Sequence, residues 1–148
     1  MFGLKEARGA VRAGFTLIEL LVAIAILAIL IGGVVPFAMK QLESAKFKGA
    51  KRDLAAFKSA INMYQIAVGN YPQTLKELIK APREEQAKKR WTQGGGPFVE
   101  GDEIKADPWN APYKYKPTPG TQHPYELFSY GPTGPGAAKA EYVSVWDN

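Results

Sequence analysis

The sequence predicts an α+β chain in which one long N-terminal helix, half of it transmembrane, packs on a small three-stranded antiparallel C-terminal sheet. Three observations carry this reading. The 24 residues from Phe15 to Ala38 hold one charged side chain, Glu19. An amphipathic stripe follows and stops at Gly69-Asn70-Tyr71-Pro72. From Asp107 onward the pattern changes to short aromatic and β-branched runs between Pro- and Gly-bearing loops.

The apolar run comes first. At ~1.5 Å per residue its helix would reach ~36 Å, enough to cross a hydrocarbon core of ~30 Å. Membrane lipid is therefore a predicted partner. A carboxylate in that region costs roughly 2.5–3.5 kcal/mol on insertion scales, so Glu19 needs a partner. Thr16 is the only other side chain of the span able to hydrogen-bond. The partner is thus expected on another subunit, or at the chain's own amino terminus if the chain is cut just before Phe15. Otherwise Glu19 reaches up to the headgroups. Gly32, Gly33 and Pro36 sit close together, which predicts a kink or a locally unwound segment.

The helix continues into water. Phe47, Ala50, Leu54, Phe57, Ile61, Tyr64 and Val68 alternate spacings of three and four, while Lys48, Lys51, Arg52, Lys58 and Asn62 fall off that stripe. One helix is predicted from about Phe15 to Val68, with Gly69 and Asn70 as left-handed caps and Pro72 preventing continuation. Thr74-Leu75-Lys76-Glu77 reads as a capping box opening a short helix through Lys80. Pro82 is expected to open another turn or two, with Arg83 to Arg90 facing solvent, and Gln93 to Pro97 is read as a loop. The predicted strands lie within Tyr113–Lys116, Tyr125–Tyr130 and Tyr142–Trp146. So small a sheet is marginal alone, so the helix must supply the other half of the core.

Several function classes are excluded. The first 14 residues carry Lys5, Arg8 and Arg12 against Glu6; subtracting them from 19 basic and 14 acidic residues leaves 16 and 13, a net charge of +3. That is too small and too scattered to indicate a nucleic-acid partner. Without cysteine no disulfide can staple the domain. The single histidine, His123, lies in a loop without a paired base, and the Gly94–Gly96 run lacks the Lys-Ser/Thr of a phosphate loop. No catalytic constellation is present, so the chain is not read as an enzyme. Charge alone leaves topology open. Lys5, Arg8 and Arg12 flank one end of the span, while Lys40, Lys46, Lys48, Lys51 and Arg52 crowd the other.

Gly14-Phe15-Thr16-Leu17-Ile18-Glu19, behind a short basic leader, resembles the processing site of type IV pilin-like precursors. The resemblance implies a pilin-like fold, cleavage between Gly14 and Phe15 by a prepilin peptidase, and methylation of Phe15. It also implies that Glu19, with Thr16 beside it, sets assembly and register by neutralising a neighbouring subunit's terminal amine. Pilin-like families carry a proline where Pro36 stands, which suggests a weak point that extends when subunits leave the bilayer. The implied organisation is a cleaved leader 1–14, a transmembrane and assembly helix 15–37, and a periplasmic domain 38–148. Within that domain the helix occupies 38–69, short helices and loops 70–106, and the sheet 107–148.

Further stretches are similar to the major pseudopilin of type II secretion. They are Val68-Gly69-Asn70-Tyr71-Pro72, Trp91 with Gly96-Pro97-Phe98, Asp107 to Tyr115, and Pro124 to Gly131. Asn110-Ala111 stands where that family usually has glycine-asparagine. This resemblance implies a structural subunit of a helical homopolymer in the bacterial inner membrane, single-pass, with its C-terminal domain in the periplasm. The implied partners are further copies of itself, minor pseudopilins, the prepilin peptidase, the inner-membrane assembly platform and the outer-membrane secretin. The alternatives are a type IV pilin for adhesion, motility or DNA uptake, and a single-span anchored module that never polymerises. Major pseudopilins usually hold calcium in the loop before the last strand. Here that loop offers only Ser129, Thr133 and the carboxylate of Glu141, so no metal or other cofactor is expected.

Overall fold

The computed structural model describes residues 14–136 and 138–147, and the chain divides into two compact units, 1–41 and 42–148. A single helix, α1 (Leu17–Val68, 52 residues), runs through the division. In the first unit every described side chain is exposed, among them Ile29 at 75% and Phe37 at 64%. Among the described residues, α1 is the one helix long and apolar enough to cross a membrane.

Of the kink or local unwinding expected at Gly32, Gly33 and Pro36, the unwinding does not occur: the backbone is helical throughout. Pro36 deletes one N–H, the partner of the Gly32 carbonyl, and intact turns on either side hold the helix across that gap. A Cβ at Gly32 or Gly33 would meet nothing within 4 Å, so packing inside one chain does not demand glycine there.

The second unit has its own core. Ala50, Leu54, Phe57, Ile61, Tyr64 and Val68 are all buried, and Ala60 and Asp53 widen the predicted stripe. The helix ends as the glycine signal predicts: Gly69 adopts φ 94°, and its N–H bonds to the Gln65 carbonyl at 2.9 Å. Asn70 is not a left-handed cap, since Asn110 is the only described non-glycine residue at positive φ.

After α1 the chain makes one 3₁₀ turn, Leu75–Leu78, instead of a helix through Lys80. The capping box does not form. Glu77 Oε2 instead accepts the Gln73 N–H at 3.0 Å and the Tyr64 phenol at 2.9 Å. A buried phenol left unpaired costs more than an exposed cap returns, so Tyr64 takes the carboxylate. The next helix, α2 (Glu85–Gln93), starts beyond Pro82 and is longer than expected. It is not solvated all round: Ala87 and Trp91, four residues apart, are buried, and the Trp91 indole donates to the Glu77 carbonyl at 2.8 Å.

Strands β1 (Lys114–Pro117), β2 (Tyr125–Ser129) and β3 (Val143–Ser144) form an antiparallel sheet in the order β1-β2-β3. Tyr115 pairs with Leu127, and Ser129 with Val143. The third strand is shorter than its aromatic run, because Asp147 Oδ2 accepts the Ser144 N–H and turns the chain. Tyr125, Leu127 and Val143 join the helix stripe in one core, with Phe57 edge-on to Tyr113 at 5.2 Å.

Candidate assembly site

Gly14, Phe15 and Thr16 precede the helix without regular structure, and the Phe15 side chain is 90% exposed. The bond between Gly14 and Phe15 thus lies in non-helical backbone, the form in which a peptidase can take it. The leader positions 1–13 lie outside the described residues.

Thr16 and Glu19 cap α1 reciprocally. The Glu19 carboxylate accepts the Thr16 N–H at 2.8 Å and the Thr16 hydroxyl at 3.0 Å, while the Glu19 N–H donates to Thr16 Oγ1 at 3.3 Å. With Thr16 as N-cap and Glu19 three residues on, this is a capping box. It corrects the reading that the span itself offers Glu19 no partner. Helix geometry supplies one, and Thr-x-x-Glu at the head of an apolar run was the available signal. The cap also places the carboxylate at the positive end of the helix dipole.

The domain is fastened by two buried carboxylates that the sequence analysis did not single out. Asp53, 8% exposed on α1, accepts the Tyr113 phenol at 2.9 Å and the Lys105 ammonium at 2.6 Å. Burial, followed by this bond to Asp53, pushes the Tyr113 phenol above its ordinary pKa. Asp53 lies three residues after Ala50 and four before Phe57, so its place on the buried stripe was legible.

Asp107, 5% exposed, closes the loop ahead of β1. Its Oδ1 accepts the N–H groups of Trp109 at 3.0 Å and Ala111 at 2.8 Å, and its Oδ2 accepts the Ser129 hydroxyl. The tight turn puts Asn110 at φ 67°, a conformation open to glycine and tolerated by asparagine. Trp109 then reaches α1, edge-on to Phe47 at 4.9 Å.

Ser129, Thr133 and Glu141 are the three calcium candidates. The Ser129 hydroxyl is engaged by Asp107 and by the Gly131 N–H at 3.0 Å, while Thr133 and Glu141 are exposed. Among the described residues no group of three His, Cys, Asp or Glu side chains is placed to hold a metal. One loop carboxylate and a committed hydroxyl do not fit a hard cation that takes six to eight oxygens.

Residues 38–146 match the family model described as type II secretion system (T2SS), protein G. The chain belongs to the type II secretion system protein G family. Residues 10–35 also match the prokaryotic N-terminal methylation motif. Type II secretion system core protein G of Pseudomonas aeruginosa is 37% identical over 142 residues, covering 93% of this chain and 96% of that relative. The Klebsiella pneumoniae protein of the same name is 35% identical over 124 residues, covering 82% and 85%. In structure the chain is similar to the major pseudopilin of the type 2 secretion system of enterohaemorrhagic Escherichia coli. That match has a TM-score of 0.58 and 25% identity, over 73% of this chain and 92% of that one. The family model that matches is protein G, which favours the secretion reading over the type IV pilin alternative.

Proposed function

We propose that this chain is a structural subunit that polymerises into the periplasmic pseudopilus of a type II secretion system and helps drive folded proteins through the outer-membrane secretin. The observation that carries the reading is the apolar stretch of residues 15–37, helical from Leu17, exposed along its whole length in a single chain and headed by an acid. Exposed apolar surface of that extent is a docking or membrane surface. In lipid it anchors the subunit; in the fibre it packs against copies of itself and supplies most of the cohesion.

Cleavage after Gly14 produces a terminal amine at Phe15, which the peptidase methylates. Glu19 of one subunit neutralises that amine on the next, and the Thr16 cap holds the carboxylate in place beforehand. Pro36, with Gly32 and Gly33, marks where α1 gives way on leaving the bilayer. The anchor lies in the bacterial inner membrane with the domain in the periplasm, and the partners are minor pseudopilins, the assembly platform and the secretin. The chain has no catalytic role, and its β2–β3 loop works without calcium. A deletion strain tests the reading. Secretion of folded exoproteins should stop and return with the gene, whereas secretion unaffected by the deletion, with loss of surface filaments instead, would refute it.

A further inference from the structure

Lys48, Lys51 and Arg52 stand at helical spacings of three and four, so they are neighbours on one face of α1. With 3.6 residues per turn, this face lies roughly opposite the buried stripe of Ala50, Leu54 and Phe57. All three are exposed, and none is in an ion pair among the described residues. Cations at these spacings repel one another, so the face is improved by an acidic partner.

Glu100, Asp102 and Glu103, in the connection between α2 and β1, are likewise exposed and in no ion pair among the described residues. Lys105, just beyond, binds Asp53 at 2.6 Å and fastens this segment to the core side of α1. The acidic and basic patches therefore belong to different sides of one domain and do not pair within a chain.

We infer that the basic face of α1 docks on the acidic 100–103 segment of a second copy of this chain. The inference rests on the fibre proposed above. When two different patches of one subunit meet, the contact is heterologous and can repeat without closing, which is what a filament requires. Opposed charges at such a contact fix register and speed encounter more than they add cohesion. An anionic lipid surface would attract the same cations but repel the acidic segment, so it accounts for only half of the arrangement.

The test is fibre assembly of the full chain in cells that also make its peptidase and assembly platform. Three variants are compared: Lys51→Glu with Arg52→Glu, Asp102→Lys with Glu103→Lys, and all four together. Each pair of reversals should lower the fibre fraction several-fold, and the fourfold variant should recover most of it, with thermal unfolding of each variant reporting its folding. No loss in either pair, or no recovery in a folded fourfold variant, would overturn the inference. So would a basic-pair reversal that weakens binding to phosphatidylglycerol vesicles yet leaves fibre yield unchanged. For the unaltered chain, fibre yield should fall as salt rises from about 0.05 M to about 0.5 M, and an indifferent yield counts against the contact. An unaltered chain that forms no fibre at all would refute the proposed function itself, and this contact with it.

Discussion

The carboxylate of Glu19 and the backbone N–H of Thr16 lie 2.8 Å apart at the head of an exposed apolar helix. One acid thereby caps its own helix at Thr16, and in the proposed fibre it would also face a neighbour's amine. In hydrocarbon an unpaired N–H costs several kcal/mol, so the bond lowers the penalty of keeping Glu19 in the span. The same contact leads to a first prediction about processing.

Mass spectrometry of the protein from cells with an intact prepilin peptidase should show a chain beginning at Phe15 and carrying one N-methyl group. A chain that retains residues 1–14, or begins elsewhere, would remove the amine that Glu19 is held to neutralise.

Asp107 is the polar hub of the domain, so removing it should be costly. Asp107→Ala leaves two N–H groups and the Ser129 hydroxyl without their acceptor. Hydrogen bonds to a charged group contribute about 1.5–3 kcal/mol each and are not additive, so a loss of roughly 3–4 kcal/mol is expected. Ser129→Ala, which removes one of those contacts and the acceptor of the Gly131 N–H, should cost roughly 2 kcal/mol. Urea unfolding of both variants reads the difference, and equal effects would argue against Asp107 as the hub.

Alkaline pH should destabilise the domain. Burial, then the nearby Tyr71, pushes the Tyr125 phenol up to about 12, and burial raises Tyr64, Tyr113 and Tyr115 as well. Each of these phenols is held neutral in the fold, whereas the unfolded chain ionises near pH ~10. The unfolded state therefore binds fewer protons above that point, and stability falls as pH rises. Melting temperature should be flat from pH 7 to about 9.5 and drop between about 10 and 12. A flat profile to pH 12 would contradict the burial of these phenols.

Chelation should change nothing. The β2–β3 loop is fastened by Ser129 to Asp107 and by stacked Phe128 and Tyr142, whose ring centroids are 4.9 Å apart. Melting temperature with and without excess EDTA should agree, and a large drop on chelation would show that the loop holds a metal.

The apolar span, the helix stripe and the three strand-forming runs were legible because each rests on a pattern that local sequence carries by itself. Leu54, Phe57 and Ile61 had no other place to go. The carboxylates were less legible. Asp53, Glu77 and Asp107 each bind groups 13 to 60 residues away in sequence, such as Tyr64 for Glu77 and Tyr113 for Asp53. A charge on a stripe looks like an offset for nearby lysines until its distant partner is in place. Glu77 shows the competition directly, since the local cap lost to a buried phenol. The helix around Pro36 stayed whole for a similar reason, as one deleted hydrogen bond is a weaker force than the turns on either side.

Glu19 is the residue on which the proposed fibre depends, and assembly of Glu19→Ala is its sharpest test. The variant should be cleaved, inserted and folded, with the melting temperature of its soluble domain unchanged, yet its fibre yield should fall below detection. Fibres at the level of the unaltered chain would show that Glu19 has no part in assembly.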